Sequence, residues 1–75
     1  MKTIVVKNEN CTAVFNNVTN LHVMPLITCF TLPVSETTNV NPLISAVKDE
    51  IVQSFSMSSV GIRVSVRTKY VVKVN

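Results

Sequence analysis

The sequence predicts an α+β fold in which one helix packs on a mostly antiparallel sheet of four or five strands. Fifteen of the 75 residues are Val, which favours strands. One segment, at about 41–56, carries apolar residues at helical spacing, and another, 60–74, alternates as a strand does. A chain this short forms a single small domain, 1–75. The predicted order is β-β-β-(β)-α-β.

Two short strands are predicted at the start of the chain. Lys2–Lys7 forms the first, and the following 8–10 segment is a turn because Asn tolerates left-handed backbone. The segment Cys11–Phe15 alternates and forms the second strand, which pairs with the first as a hairpin. Asn16–Asn17 is predicted to be another turn.

The segment Val18–Leu32 is rich in strand-forming residues but contains Pro25, which cannot donate to a strand ladder. It is either two strands or one strand with an edge bulge at Met24–Pro25. Residues 26–30 are apolar on both faces, which is typical of a central strand covered on both sides. The helix would cover one side, and a loop or a partner the other.

After a polar loop at 33–40, the chain is predicted to form its helix over about 41–56. Asn41 is a good N-cap, and Pro42 suits the first helical position. A stripe of apolar residues recurs at three- and four-residue spacing, at Ile44, Val47, Ile51 and Phe55. We expect this stripe to be core rather than a groove for a partner, because no other helix is predicted to cover the sheet.

The last segment, 60–74, is predicted to be a long strand with one apolar and one basic face. The basic face carries Arg63, Arg67, Lys69 and Lys73. With Asn75 included, the segment's sixteen residues would span about 53 Å if fully extended, whereas a domain of this size is only about 30 Å across. The strand must therefore bend, fold back as a hairpin near Thr68, or pair with another chain. A two-residue hairpin loop would mix the two faces, so the pattern favours a bent or protruding strand.

The basic face has two interpretations. It is either a solvated outer face of the sheet or an electrostatic contact surface, since residues 60–75 carry a charge of +4 and no acid. For the second interpretation the candidate binding residues are Arg63, Arg67, Lys69, Tyr70 and Lys73.

Catalysis is not expected, and no cofactor or metal site is predicted. His22 is the only histidine, and a strand histidine without companion ligands is usually structural. Cys11 and Cys29 show no metal-ligand spacing. Buried free thiols, a disulfide and a reactive thiol remain open for these two residues. Asp49 and Glu50 point about 100° apart on a helix and do not form an acid–base pair.

No secretory signal is visible, and the longest apolar stretch is about twelve residues with two prolines, too short to span a bilayer as a helix. We therefore expect a cytoplasmic protein with no membrane partner.

The predicted function is a non-catalytic protein-binding module of unknown partner. It would act through a sheet edge or the 60–75 strand by β-augmentation, including pairing into a homodimer. Size and the lack of catalytic residues favour the general class of small accessory or inhibitor proteins of phages and mobile elements, although no motif identifies such a family. The alternative is weak electrostatic nucleic-acid binding through the basic face of 60–75.

Overall fold

The fold is described from a computed structural model, which covers residues 2–33 and 40–75. Most of the predicted polar loop, residues 34–39, therefore lies outside the described residues. The elements in chain order are β1 (Lys2–Lys7), β2 (Thr12–Val23), β3 (Ile27–Pro33), α1 (Val40–Lys48), β4 (Val52–Ser58), β5 (Gly61–Arg67), a 3₁₀ turn (Thr68–Tyr70) and β6 (Val71–Val74).

The strands form one antiparallel sheet in the order β4-β5-β3-β2-β1-β6. This confirms the α+β class with a mostly antiparallel sheet. The predicted number of strands is wrong, because the described residues form six, and one of them lies within the segment assigned to the helix. β3 lies between β2 and β5, so its expected central position is confirmed. The expected cover on both faces is wrong, because Ile27 and Cys29 are only half-buried and Leu26, just before the strand, is exposed.

The long strand β2 joins the two halves of the sheet. Its first part pairs with β1 and its second part with β3, and the register shifts once in each ladder. Asn17 and Asn20 lie at these two shifts, with φ of 58° and 52°. Asn tolerates this left-handed region better than most residues, so it suits a β-bulge. The turn predicted at Asn16–Asn17 is therefore wrong, because both residues lie inside β2.

The turn between β1 and β2 is confirmed, and the Asn8 side chain holds it. Its Oδ1 accepts hydrogen bonds from the backbone N–H groups of Asn10 and Cys11, each 2.9 Å long. Its Nδ2 donates to the carbonyl of Asp49 at 2.8 Å, just beyond the end of α1. One side chain thus fixes the first hairpin and attaches it to the helix end.

The core lies where the two halves of the sheet and the helix meet. The rings of Phe15 on β2 and Phe30 on β3 are 5.2 Å apart, and both side chains are buried. Other strands and the helix add Ile4, Val6, Val64, Val66, Leu43 and Ala46. The molecule measures 31 × 23 × 20 Å.

The helix is much shorter than predicted, since it ends at Lys48. The N–H of Ile51 bonds to the carbonyl of Ala46 (2.9 Å) and that of Glu50 to the carbonyl of Val47 (3.2 Å). These are the two bonds of a Schellman motif, with Glu50 in the left-handed position at φ 62°. At the other end the helix begins at Val40, so Asn41 is its second residue rather than the residue before it.

Glu50→Gly is expected to stabilise the protein by about 1 kcal/mol, because glycine adopts this left-handed position without steric cost. Glu50 is exposed, so its side chain contributes little to packing. Urea unfolding measures the change, and Ser45→Gly, at an exposed position inside the helix, is the control and should destabilise by about 0.5 kcal/mol. Destabilisation by Glu50→Gly would mean that the helix does not end in this motif.

The C-terminal segment is not one strand and not a hairpin. β5 pairs with β3 and β4, whereas β6 pairs with β1 at the opposite end of the sheet, and the 3₁₀ turn lies between them. The expected bend is therefore present. The prediction that the even-numbered residues share one apolar face along the whole segment is wrong. In β6 the odd-numbered Val71 packs against the core, whereas Val72 is 59% exposed.

Candidate functional site

The strand β4 is an edge of the sheet that has little of the usual protection against further strand pairing. Among the described residues it pairs only with β5. Its sequence, VQSFSMS, contains no charge and no proline. Edge strands of monomers are usually short, bulged or charged, which prevents another strand from adding to them. β4 has one of these features, a register shift near Gln53, and is regular from Ser54 to Ser58. The opposite edge, β6, is short, with four residues, includes Lys73, and also pairs with an irregular register.

Two large apolar side chains project from one face of this edge strand. Phe55 lies opposite Val64 and Met57 opposite Ile62 on β5. Val64 is buried in the core, so Phe55 and Met57 lie on the helix side of the sheet, which we call the inner face. They nevertheless remain 52% and 75% exposed, because α1 is too short to cover them.

The gap between α1 and β4 is an apolar groove of about 420 Å³. Its lining comes from the helix, β4 and β5: Leu43, Ile44, Val47, Lys48, Phe55 and Ile62. The prediction that the helical stripe is core is therefore wrong for three of its four members. Ile44, Val47 and Phe55 are 59%, 38% and 52% exposed, and only Ile51 is fully buried.

The predicted basic residues do not form one continuous strip. Arg63 and Arg67 are exposed on β5, on the face opposite the buried Val64, which we call the outer face. Lys69 lies in the 3₁₀ turn, and Lys73 is on β6 at the other end of the sheet.

Tyr70 is half-buried against the core, and the Lys69 Nζ lies 5.1 Å from the centre of its ring. This is a cation–π distance. Arg67 and Lys69 thus line one shallow depression, whereas Tyr70 packs against the core.

The residues considered for catalysis lie on exposed or half-buried parts of the sheet. His22 is exposed on β2 and lies directly opposite Cys29 on β3. The Cys29 Sγ is 3.5 Å from the Ser65 Oγ, within hydrogen-bond distance for sulfur. A thiol thus neighbours the histidine, but the described residues include no group of three His, Cys, Asp or Glu side chains that could hold a metal ion.

Both cysteines are free thiols, so the disulfide alternative is wrong. Each is half-buried rather than fully buried. Partial burial raises the pKa of the Cys11 thiol, and the nearby Asp49 carboxylate raises it further, by accepting a hydrogen bond and by its charge. A raised pKa lowers the thiolate fraction at neutral pH, so Cys11 is poorly suited to nucleophilic chemistry.

Sequence reasoning missed Phe55 and Met57 as surface residues, although a signal for them exists. From Ser54 to Ser58 the chain reads Ser-Phe-Ser-Met-Ser, a strict alternation typical of a strand. The helical stripe overlapped this segment and concealed the change of period.

Comparison of the chain with protein-family models, with curated protein sequences and with solved structures gives no match. Within the described part of the chain, none of the helices is long and apolar enough to cross a membrane.

Proposed function

We propose that this chain is a non-catalytic protein-binding module that acts by strand addition at the β4 edge, and that a second copy of the chain is its partner. The observation that carries the proposal is an uncharged edge strand, regular from Ser54 to Ser58, that is flanked by an apolar groove. Strand addition provides main-chain hydrogen bonds, and adjacent apolar pockets provide specificity.

The local geometry indicates which backbone groups of β4 would bind a partner strand. Ser58 lies opposite Gly61, so a two-residue loop, Ser59–Val60, closes the hairpin between β4 and β5. The pair that closes such a loop is hydrogen-bonded, and hydrogen-bonded and non-bonded pairs then alternate along the ladder. The N–H and C=O groups of Phe55 and Met57 therefore point away from β5, toward the open edge.

A second copy can pair with these groups in one favourable register. This register has a two-fold axis at Ser56. Phe55 of each copy then lies opposite Met57 of the other, and the two Ser56 residues lie opposite each other. Apolar residues then meet on the inner face and serines on the outer face, as antiparallel pairing requires. The register shift near Gln53 and the turn at Ser59 limit regular pairing to the residues between them.

The charges of the chain do not oppose this pairing. β4 is uncharged, and the nearest basic residue on the ladder is Arg63, opposite Ser56 on β5. In the dimer the two Arg63 residues would be three strand spacings apart, about 14 Å. That distance exceeds the Debye length of about 8 Å at physiological ionic strength, so their repulsion is largely screened.

A single cysteine at the proposed axis tests the register. With Cys11 and Cys29 replaced by Ser, Ser56→Cys should form a disulfide-linked dimer under mild oxidation, because non-bonded antiparallel partners approach to about 4.5 Å between Cα atoms. Ser54→Cys is the matched control: it lies on the same strand and face, but opposite residue 58 of the other copy. Equal linkage of both variants, or no linkage of either in protein with native circular dichroism, would contradict the proposal.

Nucleic-acid binding remains a prediction that the described geometry does not favour. Lys73 lies on β6 and Arg63 and Arg67 on β5, two strands that do not pair with each other, and Tyr70 is half-buried. The remaining contact would consist of Arg63, Arg67 and Lys69 without an exposed aromatic side chain for base stacking.

A further inference from the structure

The turn between β2 and β3 is an exposed apolar tip, formed by Val23, Met24, Pro25 and Leu26. Leu26 is 82% exposed, Val23 57% and Met24 46%. The Met24 N–H donates to the carbonyl of Ile27 at 3.1 Å, which closes the hairpin. Apolar side chains exposed together in this way favour a contact surface, because isolated ones are common but clusters are not.

The backbone of this apolar tip is fixed from behind by Thr68 of the 3₁₀ turn. The Thr68 N–H donates to the carbonyl of Leu26 at 3.1 Å, and its hydroxyl donates to the carbonyl of Met24 at 2.7 Å. The hydroxyls of Thr68 and Thr28 are 2.9 Å apart. These bonds hold the tip in place while the Leu26 side chain extends into solvent.

Two cations lie directly beside the apolar tip. Arg67 and Lys69 line a depression of about 410 Å³ together with Pro25, Leu26 and Ile27. The described acids Glu9, Asp49 and Glu50 line a different depression, with Asn8, Asn10 and Tyr70. The depression beside the tip is therefore lined by two cations and no described acid, although Lys69 also contacts the ring of Tyr70, which lines the acidic depression.

We propose that this corner binds the surface of an anionic lipid bilayer, with Leu26 and Met24 inserted below the headgroups and Arg67 and Lys69 against lipid phosphates. A bilayer of this kind is negative at its surface and apolar beneath, which matches an aliphatic tip backed by cations. A nucleic acid would engage the cations but offers little to aliphatic side chains. This contact is peripheral, needs no membrane-spanning helix and is independent of the β4 edge. It departs from the expectation of no membrane partner, which considered spanning segments alone.

Tryptophan fluorescence tests the insertion directly, because the chain contains no Trp. Emission of Leu26→Trp should shift to the blue on addition of vesicles of equimolar phosphatidylcholine and phosphatidylglycerol, and much less with phosphatidylcholine alone. Val72→Trp is the matched control: Val72 is 59% exposed but lies on β6, and its emission should not move. No shift of Leu26→Trp with the anionic vesicles, or equal shifts of both variants, would overturn the proposal.

Vesicle co-sedimentation separates the apolar from the electrostatic contribution. Leu26→Asn should lower the partition coefficient about tenfold, and Arg67→Gln about fivefold. Lys73→Gln, the charge control on β6, should change it by less than about twofold. Equal effects of Arg67→Gln and Lys73→Gln would overturn the proposal, as would binding of the protein to single-stranded DNA with none to the anionic vesicles.

Discussion

Gly61→Ala is expected to remove a large part, or all, of the protein's stability. Gly61 has φ of 144°, a conformation that side-chain-bearing residues rarely adopt. A Cβ at this position would lie 2.0 Å from the carbonyl oxygen of Leu32 and 2.9 Å from its carbonyl carbon. Both atoms belong to the backbone of the central strand β3, so they cannot move aside as a flexible side chain can. Strands β3 and β5 would have to separate where the β4–β5 hairpin begins.

The expected loss is about 4 kcal/mol or more, since backbone strain and steric overlap add together. A domain of this length has a total stability of about 4–11 kcal/mol. Thermal unfolding followed by circular dichroism measures the loss, and Val60→Ala, exposed in the same turn, is the control and should change stability by less than about 1 kcal/mol. A cooperative transition of Gly61→Ala close to that of the unmodified protein would show that β3 and β5 do not approach so closely.

Removal of residues 71–75 is expected to unfold the protein or leave it only partly folded. The backbone of Asn75 forms two hydrogen bonds with that of Thr3, of 3.0 and 2.9 Å, and Val71 packs against the core. Without β6, the strand β1 becomes an edge, and its buried residues Ile4 and Val6 lose their cover on that side. The expected cost is at least about 3 kcal/mol, from lost apolar burial and lost ladder bonds.

Urea unfolding of the truncated chain measures this cost. Val72→Ser is the control, because Val72 is exposed and the substitution leaves the backbone ladder intact. An unchanged unfolding midpoint after truncation would indicate that β6 does not pair with β1 of its own chain, and would restore the interpretation that this end pairs with another molecule.

Local signals predicted the parts of the fold that depend on neighbouring residues. The turn at Asn8 followed from the chemistry of Asn, and β1 and the start of β2 followed from their composition and alternation. The central strand β3 followed from its two apolar faces. In each case the residues that form the element also provide the signal.

β-bulges explain why β4 was mistaken for the end of a helix. The register shift near Gln53 leaves Val52 and Phe55 three residues apart in sequence yet on one face of the strand. Phe55 also follows Ile51 by four residues, so an irregular strand imitated helical spacing. Glu50 takes the left-handed position that ends α1, where Gly would have marked the boundary.

The course of the C-terminal segment depends on pairings between distant residues. The alternation from 60 onward is compatible with one strand, but β5 and β6 join opposite ends of the sheet through the turn at Thr68–Tyr70. The anchor of that turn is its hydrogen bonds to Met24 and Leu26, which lie more than forty residues earlier in the chain.

The sequence directed attention to a sheet edge but not to β4. The overlong 60–75 segment and the two apolar faces of 26–30 favoured strand addition, and the charge pattern directed attention to Arg63 and Arg67. The groove beside β4 could not be predicted, because it exists only where α1 ends too early to cover Phe55.

Sedimentation equilibrium over a concentration series tests the central claim, pairing through β4, most directly. The unmodified protein should show a reversible monomer–dimer equilibrium, with Kd on the order of 10 µM because the paired segment is short. Phe55→Lys should sediment as a monomer, because it places a charge on the paired edge, while Val72→Lys on β6 should dimerise as the unmodified protein does. A monomer at every concentration, or a dimer that persists in Phe55→Lys, would contradict the account.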